Sequence, residues 1–421
     1  MKLKRRFRSV AHFDQLGPGL VTGAADDDPS GIATYSQAGA SFGYGLLWTM
    51  VLTYPLMSAI QLICAHIGRV TGCGLARNMG AVMPRWAVSA LVALLFVANT
   101  INIGADLAAM GDAAALVTGG GSHGFTVAAA LFSLLLQLFV PYRRYARLLK
   151  WVTLSLFAYV TLLFVLHIDW LKVARGLTVP HVAGAQAIVT IVAIFGTTIS
   201  PYLFFWQSAQ EVEGMTLDPS AKPLVRAPEQ ATREFARMRV DTFAGMAVAN
   251  LVAISIMIGT ATTLADTGQG PIETAADAAR ALAPIAGNFA FGLFAAGIIG
   301  TGLLAVPVLA GSAAYAVGES RGWICGLEHK PWEAVGFYAV IGLATLIGIG
   351  ISVSPLDPIK ALFYSAVING FVAVPIMGAM MLVAHRHDLL GRFTARPLLL
   401  TLGWLATIVM AAAAIAMIVV R

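Results

Sequence analysis

The stretch Ala25-Asp26-Asp27-Asp28-Pro29-Ser30-Gly31 decides how this chain is read. It lies inside an apolar run from Leu16 to Ala40 that is long enough to cross a bilayer, yet it places three carboxylates and two helix breakers near the centre of that run. A carboxylate at mid-membrane depth costs at least about 2.5 kcal/mol. Backbone freed by a broken helix is tolerated there only where it is buried in protein or lines a polar cavity. Interrupted helices at the bilayer midplane are how many secondary transporters hold a substrate or an ion. Asp28 is therefore the leading candidate for the centre of function, with Pro29 as the break.

The rest of the composition agrees. Of 421 residues, 58% are hydrophobic and 11% charged, against about 25% charged in a soluble domain. The chain reads as an all-α polytopic membrane protein. Apolar runs of adequate length predict eleven spans, near 17–38, 46–68, 86–117, 124–141, 150–168, 185–213, 240–264, 285–317, 334–353, 360–384 and 397–420. The charged amino-terminal segment is followed by no apolar region of signal-peptide type. With that end inside, 22 of the 27 Lys and Arg fall on the cytoplasmic side. They cluster in the tail, at Arg69/Arg77/Arg85, at Arg143/Arg144/Arg147/Lys150, between Lys222 and Arg239, at Arg321/Lys330 and at Arg386/Arg392/Arg396. The positive-inside rule then orients the chain in a cytoplasmic membrane with the carboxyl terminus outside. Dispersal of the net charge of +6 over short loops argues against nucleic acid.

A second interruption, Phe195-Gly196-Thr197-Thr198-Ile199-Ser200-Pro201-Tyr202, falls in the sixth span. Pro201 removes a backbone donor and disfavours helix at Ser200. Breaks in the first and sixth spans, five apart and opposite in direction, are expected of two inverted five-helix repeats meeting at the midplane. This gives one integral domain over 1–421, with repeats at about 16–168 and 185–385 and an extra helix at about 397–420. The polar segments 214–237 and 266–280 read as loops, with gating of an entrance as the alternative, and Glu211 and Glu213 as a solvated helix end near the cytoplasmic mouth, with an exit role as the alternative. Cys64, Cys73 and Cys325 have no ligand-like spacing and read as packing residues.

The chain resembles the NRAMP family of divalent-metal transporters, which have the LeuT-type fold. The resemblance rests on Gly17-Pro18-Gly19 through Asp28-Pro29-Ser30-Gly31 to Phe42-Gly43-Tyr44, on Ile67-Gly68-Arg69-Val70-Thr71-Gly72, and on Ala105-Asp106-Leu107-Ala108. It covers most of the chain in span order. The family's Asp-Pro-Gly-Asn motif keeps Asp28 and Pro29 here, with Ser30 for the Gly and Gly31 for the metal-binding Asn. Its Met-Pro-His motif keeps Pro201, with Ser200 for the metal-binding Met and Tyr202 for the His. Asp106 represents the third-span acidic pair, with Ala109 at the Glu position. Ala366 stands at the tenth-span Gln, one turn before Asn369. The pattern is closer to the divergent NRAMP-related branch, whose members include magnesium transporters without proton coupling.

Losing the thioether leaves an all-oxygen ligand set: the Asp28 carboxylate, the Ala25 and Thr197 carbonyls, and the Ser200, Thr197 or Ser30 hydroxyls. Such ligands suit Mg²⁺, Ca²⁺ and Mn²⁺. Gly31 in place of Asn is expected to leave room for a partly hydrated ion. Asp26 and Asp27 read as capping or solvating the break, with Asp27 also a second-ligand or vestibule candidate. Asn99, Asn102 and Asp106 form a stripe on the third span. Interhelical hydrogen bonding explains the asparagines, Asn99 is carried as an ion-path candidate, and Asp106 as a relay. No His lies mid-span and Tyr202 replaces the family's His, so weak or absent proton coupling is expected.

These readings point to alternating-access transport of a divalent cation, Mg²⁺ or Mn²⁺, with the ion as cargo, no cofactor and no obligatory protein partner. The alternatives are a proton-coupled Mn²⁺/Fe²⁺ carrier and an organic-amine symporter of the same fold. No phosphate-cradling loop, no nucleophile beside a base and no His/Cys cluster supports an enzyme.

Overall fold

The computed structural model describes residues 23, 25–140, 154–264, 272, 274–353 and 357–420. The basic tail, Gly17 to Gly19, Arg143, Arg144, Arg147, Lys150 and Glu273 lie outside these residues. Among the described residues every regular element is helical. In chain order they are α1 Pro29–Phe42, α2 Trp48–Thr71, α3 Leu75–Val82, α4 Arg85–Thr118, α5 Ser122–Phe139, α6 Phe157–Val165, α7 Trp170–Thr178, α8 Gly184–Thr198, α9 Pro201–Leu217, α10 Ala231–Thr263, α11 Ala275–Arg280, α12 Ala283–Ala286, α13 Ala290–Arg321, α14 Val335–Ser352, α15 Pro358–Ala384, α16 His387–Leu390 and α17 Pro397–Val419.

Nine segments of the described chain are long and apolar enough to cross a membrane, counting α8 and α9 as one. They correspond to nine of the expected spans, and the first and fifth reach into residues that are not described. Phe139, Phe164, Leu398 and Ile418 on the outer helices are exposed, as lipid-facing positions would be. The segment read as a loop over 214–237 is shorter than expected. α9 runs on to Leu217 and α10 begins at Ala231, so polar helix ends carry much of it. The second supposed loop holds α11, started by a reciprocal capping box between Thr274 and Asp277.

The two breaks are built alike. The residue before a proline is pushed to extended backbone, and proline itself suits the first helical position. Asp28 (φ −71°, ψ 171°) precedes Pro29 at the start of α1. Ser200 (φ −73°, ψ 129°) precedes Pro201 at the start of α9. α8 stops at Thr198, with the Ile199 amide bonded back to Phe195.

Helix contacts carry these breaks to the centre. α1 packs on α10 and α15, α8 on α15, and α4 on α13 and α15. Small residues let the backbones approach. A Cβ on Gly39 would overlap the Thr260 hydroxyl and Met257 carbonyl of α10, and one on Gly196 the Ala366 carbonyl and Gly370 amide of α15. Gly196→Val should therefore destabilise the fold, by about 1–3 kcal/mol or more for an overpacked site. A melting temperature in detergent equal to that of the unsubstituted protein would contradict this.

Candidate functional site

Asp28 ends an extended turn with its carboxylate inside the bundle, 1% exposed. Four donors surround it. The Ser30 hydroxyl and Gly31 amide donate to Oδ1 at 2.6 and 2.8 Å. The Asn102 amide of α4 donates to Oδ2 at 3.0 Å, and the Tyr202 hydroxyl of α9 reaches the same oxygen at 3.5 Å. Tyr202 also donates to the Ala25 carbonyl at 3.0 Å. The first break, the second break and α4 therefore meet at one carboxylate.

The second break adds oxygens. Ser30 Oγ is 3.5 Å from Thr197 Oγ1. Ser200, at the Met position of the motif, turns its hydroxyl toward the Thr197 and Gly196 carbonyls at 2.7 and 3.0 Å. The Ala25 and Thr197 carbonyls are thus engaged by hydroxyl donors from α9 and its cap. None of the groups bonded to Asp28 is a thioether or an imidazole. Among the described residues no group of three His, Cys, Asp or Glu side chains is arranged to hold a metal ion, and the four groups bonded to Asp28 are all neutral donors.

Several expectations change. Gly31 does not open space: a Cβ there would lie 3.2 Å from Thr197 Oγ1 and 3.3 Å from the Tyr35 ring, because Tyr35 one turn along α1 closes the gap. Asn99 does not reach Asp28. Its amide donates to the Leu309 carbonyl and Ser312 hydroxyl of α13, and Asn102, one turn further along α4, makes the contact instead. Ser365 of α15, which the sequence did not single out, fixes Asn102 by donating to its Oδ1 at 2.6 Å. Asp106, a further turn along α4, is buried and neither carboxylate oxygen has a hydrogen-bond partner. Asp26 and Asp27 are also buried, each with Oδ1 unpartnered. Asn369 is buried with its amide unpartnered, and Ala366 abuts Gly196 through its carbonyl.

Glu211 is not solvated, and Glu213 is half-buried at the edge of a cavity. Glu211 is buried and paired with Arg237, which also donates to Glu234 at 3.0 Å, and Glu234 faces Arg69 at 3.4 Å. This network ties α2, α9 and α10 together. Glu213 accepts from the Tyr315 hydroxyl at 2.7 Å and the Glu328 amide at 3.0 Å. From Tyr202 one face of α9 runs through Trp206 and Ala209 to Glu213. Trp206 packs against Gly311 and meets Tyr315 edge-on, ring centroids 6.1 Å apart. Beyond it lies a cavity of about 320 Å³ lined by Ala209, Glu213, Tyr315 and Glu319 among others. Cys325 also lines it, its thiol pushed up to about 12 by burial and then by the Glu319 carboxylate, which keeps it protonated and unreactive.

Comparison with known proteins places this geometry. The model of the Nramp family, natural resistance-associated macrophage protein-like, matches residues 19–420. A divalent metal cation transporter MntH of Yersinia pestis is 27% identical over 304 residues, 70% of this chain and 69% of that protein. One from Caldanaerobacter subterraneus is 25% identical over 402 residues, 91% of this chain and 87% of the other. Among solved structures, the Eremococcus coleocola manganese transporter superposes with TM-score 0.76 at 18% identity, covering 94% of this chain and 84% of that one. Mhp1, a nucleobase-cation-symport-1 family transporter in a closed conformation, gives 0.58 at 13% identity, covering 96% and 92%.

Fold and broken helices together define a helical membrane protein with the LeuT-type fold. Within that class, the chain belongs to the Nramp family.

Proposed function

We propose that the protein carries a divalent metal cation across the membrane by alternating access, with Asp28 as the charged ligand. Support comes from one observation above others: Asp28 is a buried carboxylate at a helix break, facing a second break through oxygen-bearing side chains. The Ala25 and Thr197 carbonyls and the Ser200 and Ser30 hydroxyls complete the proposed ligand set, with Asn102 and Ser365 orienting the acid. Relatives described as divalent metal cation transporters support the cargo class.

Hard cations take oxygen ligands, while thioethers select softer ones. With Ser200 at the Met position, Mg²⁺ or Mn²⁺ is the favoured cargo over Cd²⁺, and the chain falls with the magnesium-carrying NRAMP-related branch. The amino terminus lies inside, the carboxyl terminus outside, and the chain forms one transport domain. The cavity beyond Trp206 is the inner vestibule through which the ion leaves.

Transport without obligatory proton movement follows from the absence of imidazole among the groups bonded to Asp28. One observation favours the proton-coupled alternative: Asp106 is a buried carboxylate with no hydrogen-bond partner, one turn from Asn102. Proteoliposomes carrying an internal pH dye decide between them. Uptake of Mg²⁺ or Mn²⁺ with no interior acidification is expected. Acidification that scales with metal uptake and disappears in Asp106→Asn would establish coupling, and uptake of Cd²⁺ unaffected by millimolar Mg²⁺ would contradict the cargo assignment.

A further inference from the structure

The oxygens nominated as ion ligands are already occupied by donors from the protein. Tyr202 is central to this, because its hydroxyl oxygen lies 3.0 Å from the Ala25 carbonyl and 3.5 Å from Asp28 Oδ2 and has a single proton to give to either. An ion held by both oxygens at about 2.0–2.6 Å would lie on the side from which that hydroxyl approaches them, and its positive charge competes with the hydroxyl proton for the same oxygens. The phenol is fully buried, so it cannot trade its partners for bulk water. The Ser200 hydroxyl, at the cap of the same helix two residues before it, is the alternative acceptor. Ser200 points its own proton at backbone carbonyls, which leaves its lone pairs to accept another.

We infer that Tyr202 is a built-in competitor for the cargo, a latch that holds the Ala25 carbonyl and Asp28 closed and releases them by turning its proton to Ser200. The inference rests on the ion site proposed above. The latch lowers apparent affinity, because only the fraction of molecules with the hydroxyl turned away can bind. It also keeps the buried carboxylate satisfied when no ion is present, so the empty carrier pays little for returning across its cycle. A phenol oxygen that ligated the ion directly would act in the opposite sense.

Calorimetric titration of Mn²⁺, and separately of Mg²⁺, into the purified full-length protein distinguishes the two. Four forms are compared: unsubstituted, Tyr202→Phe, Tyr202→Leu and Asp28→Ala. Removing the hydroxyl should tighten binding about tenfold, the scale of one hydrogen bond to a charged group. Structural damage does not produce a gain in affinity, and the Leu form serves if the Phe form does not fold. Weaker or unchanged binding in Tyr202→Phe, with binding lost in Asp28→Ala, overturns the latch and leaves the ion site standing. Undiminished binding in Asp28→Ala overturns the site and the latch with it.

Discussion

Asp28→Ala should bind Mn²⁺ and Mg²⁺ at least about a hundredfold more weakly than the unsubstituted protein and carry neither into vesicles. Loss of groups one step removed from a bound metal already costs about 10- to 100-fold in affinity. Asp28 is the carboxylate that Ser30, Asn102 and Tyr202 hold between the two helix breaks, so the substitution removes the proposed charged ligand itself. Folding should survive, because two of the four donors that the carboxylate leaves behind have other acceptors. Tyr202 keeps the Ala25 carbonyl, and Ser30 stays within reach of Thr197 Oγ1. The measurement is calorimetric affinity together with vesicle uptake at matched protein density. Uptake within a factor of about two of the unsubstituted protein, on a scale where 1.4 kcal/mol is tenfold, would remove Asp28 from the site.

Ser200→Cys should reverse the metal preference. The substitution changes one atom, oxygen to sulfur, with little change in volume at a position that is 1% exposed. A sulfur ligand favours soft ions while carboxylate and carbonyl oxygens favour hard ones. The thiol is also a weaker donor, so it holds the Thr197 carbonyl less firmly than the hydroxyl at 2.7 Å does. Binding of Cd²⁺ relative to Mg²⁺ should rise about tenfold or more, roughly one 1.4 kcal/mol step. Competition titrations of Cd²⁺ against Mg²⁺ read this directly. An unchanged ratio would mean that position 200 does not face the ion.

Both positions were legible in the sequence for local reasons. Proline fixes its own backbone and that of its predecessor, so Pro29 and Pro201 mark helix starts without knowledge of the fold. A carboxylate inside an apolar run announces itself through its cost. What sequence could not supply was the phase of one helix against another. Asn99 and Asn102 lie on the same stripe of α4, and only the docking of α1 and α13 against it decides that Asn102 meets Asp28 while Asn99 meets Leu309 and Ser312. Ser365 lies far along the chain, and nothing local marks it as the partner of Asn102.

Gly31 misled for a related reason. A missing side chain makes room only if its neighbours stay away, and here Tyr35 and Thr197 close in. Glu211 and Glu213 misled through burial. Their distance from the apolar centre suggested a solvated helix end, but Arg237 arrives from another helix to bury Glu211 and Tyr315 arrives to bind the half-buried Glu213. Residues whose roles depend on their own backbone could be read, and residues whose roles depend on a distant partner could not.

Crystals of the full-length protein soaked in Mn²⁺ and measured at the manganese absorption edge would locate the ion itself. The expected anomalous peak lies about 2.0–2.6 Å from the Asp28 carboxylate, between the starts of α1 and α9 and in contact with the Ala25 carbonyl. Strong density only at the acidic cavity beyond Trp206, with Asp28 still bonded to Ser30, Asn102 and Tyr202, would contradict it.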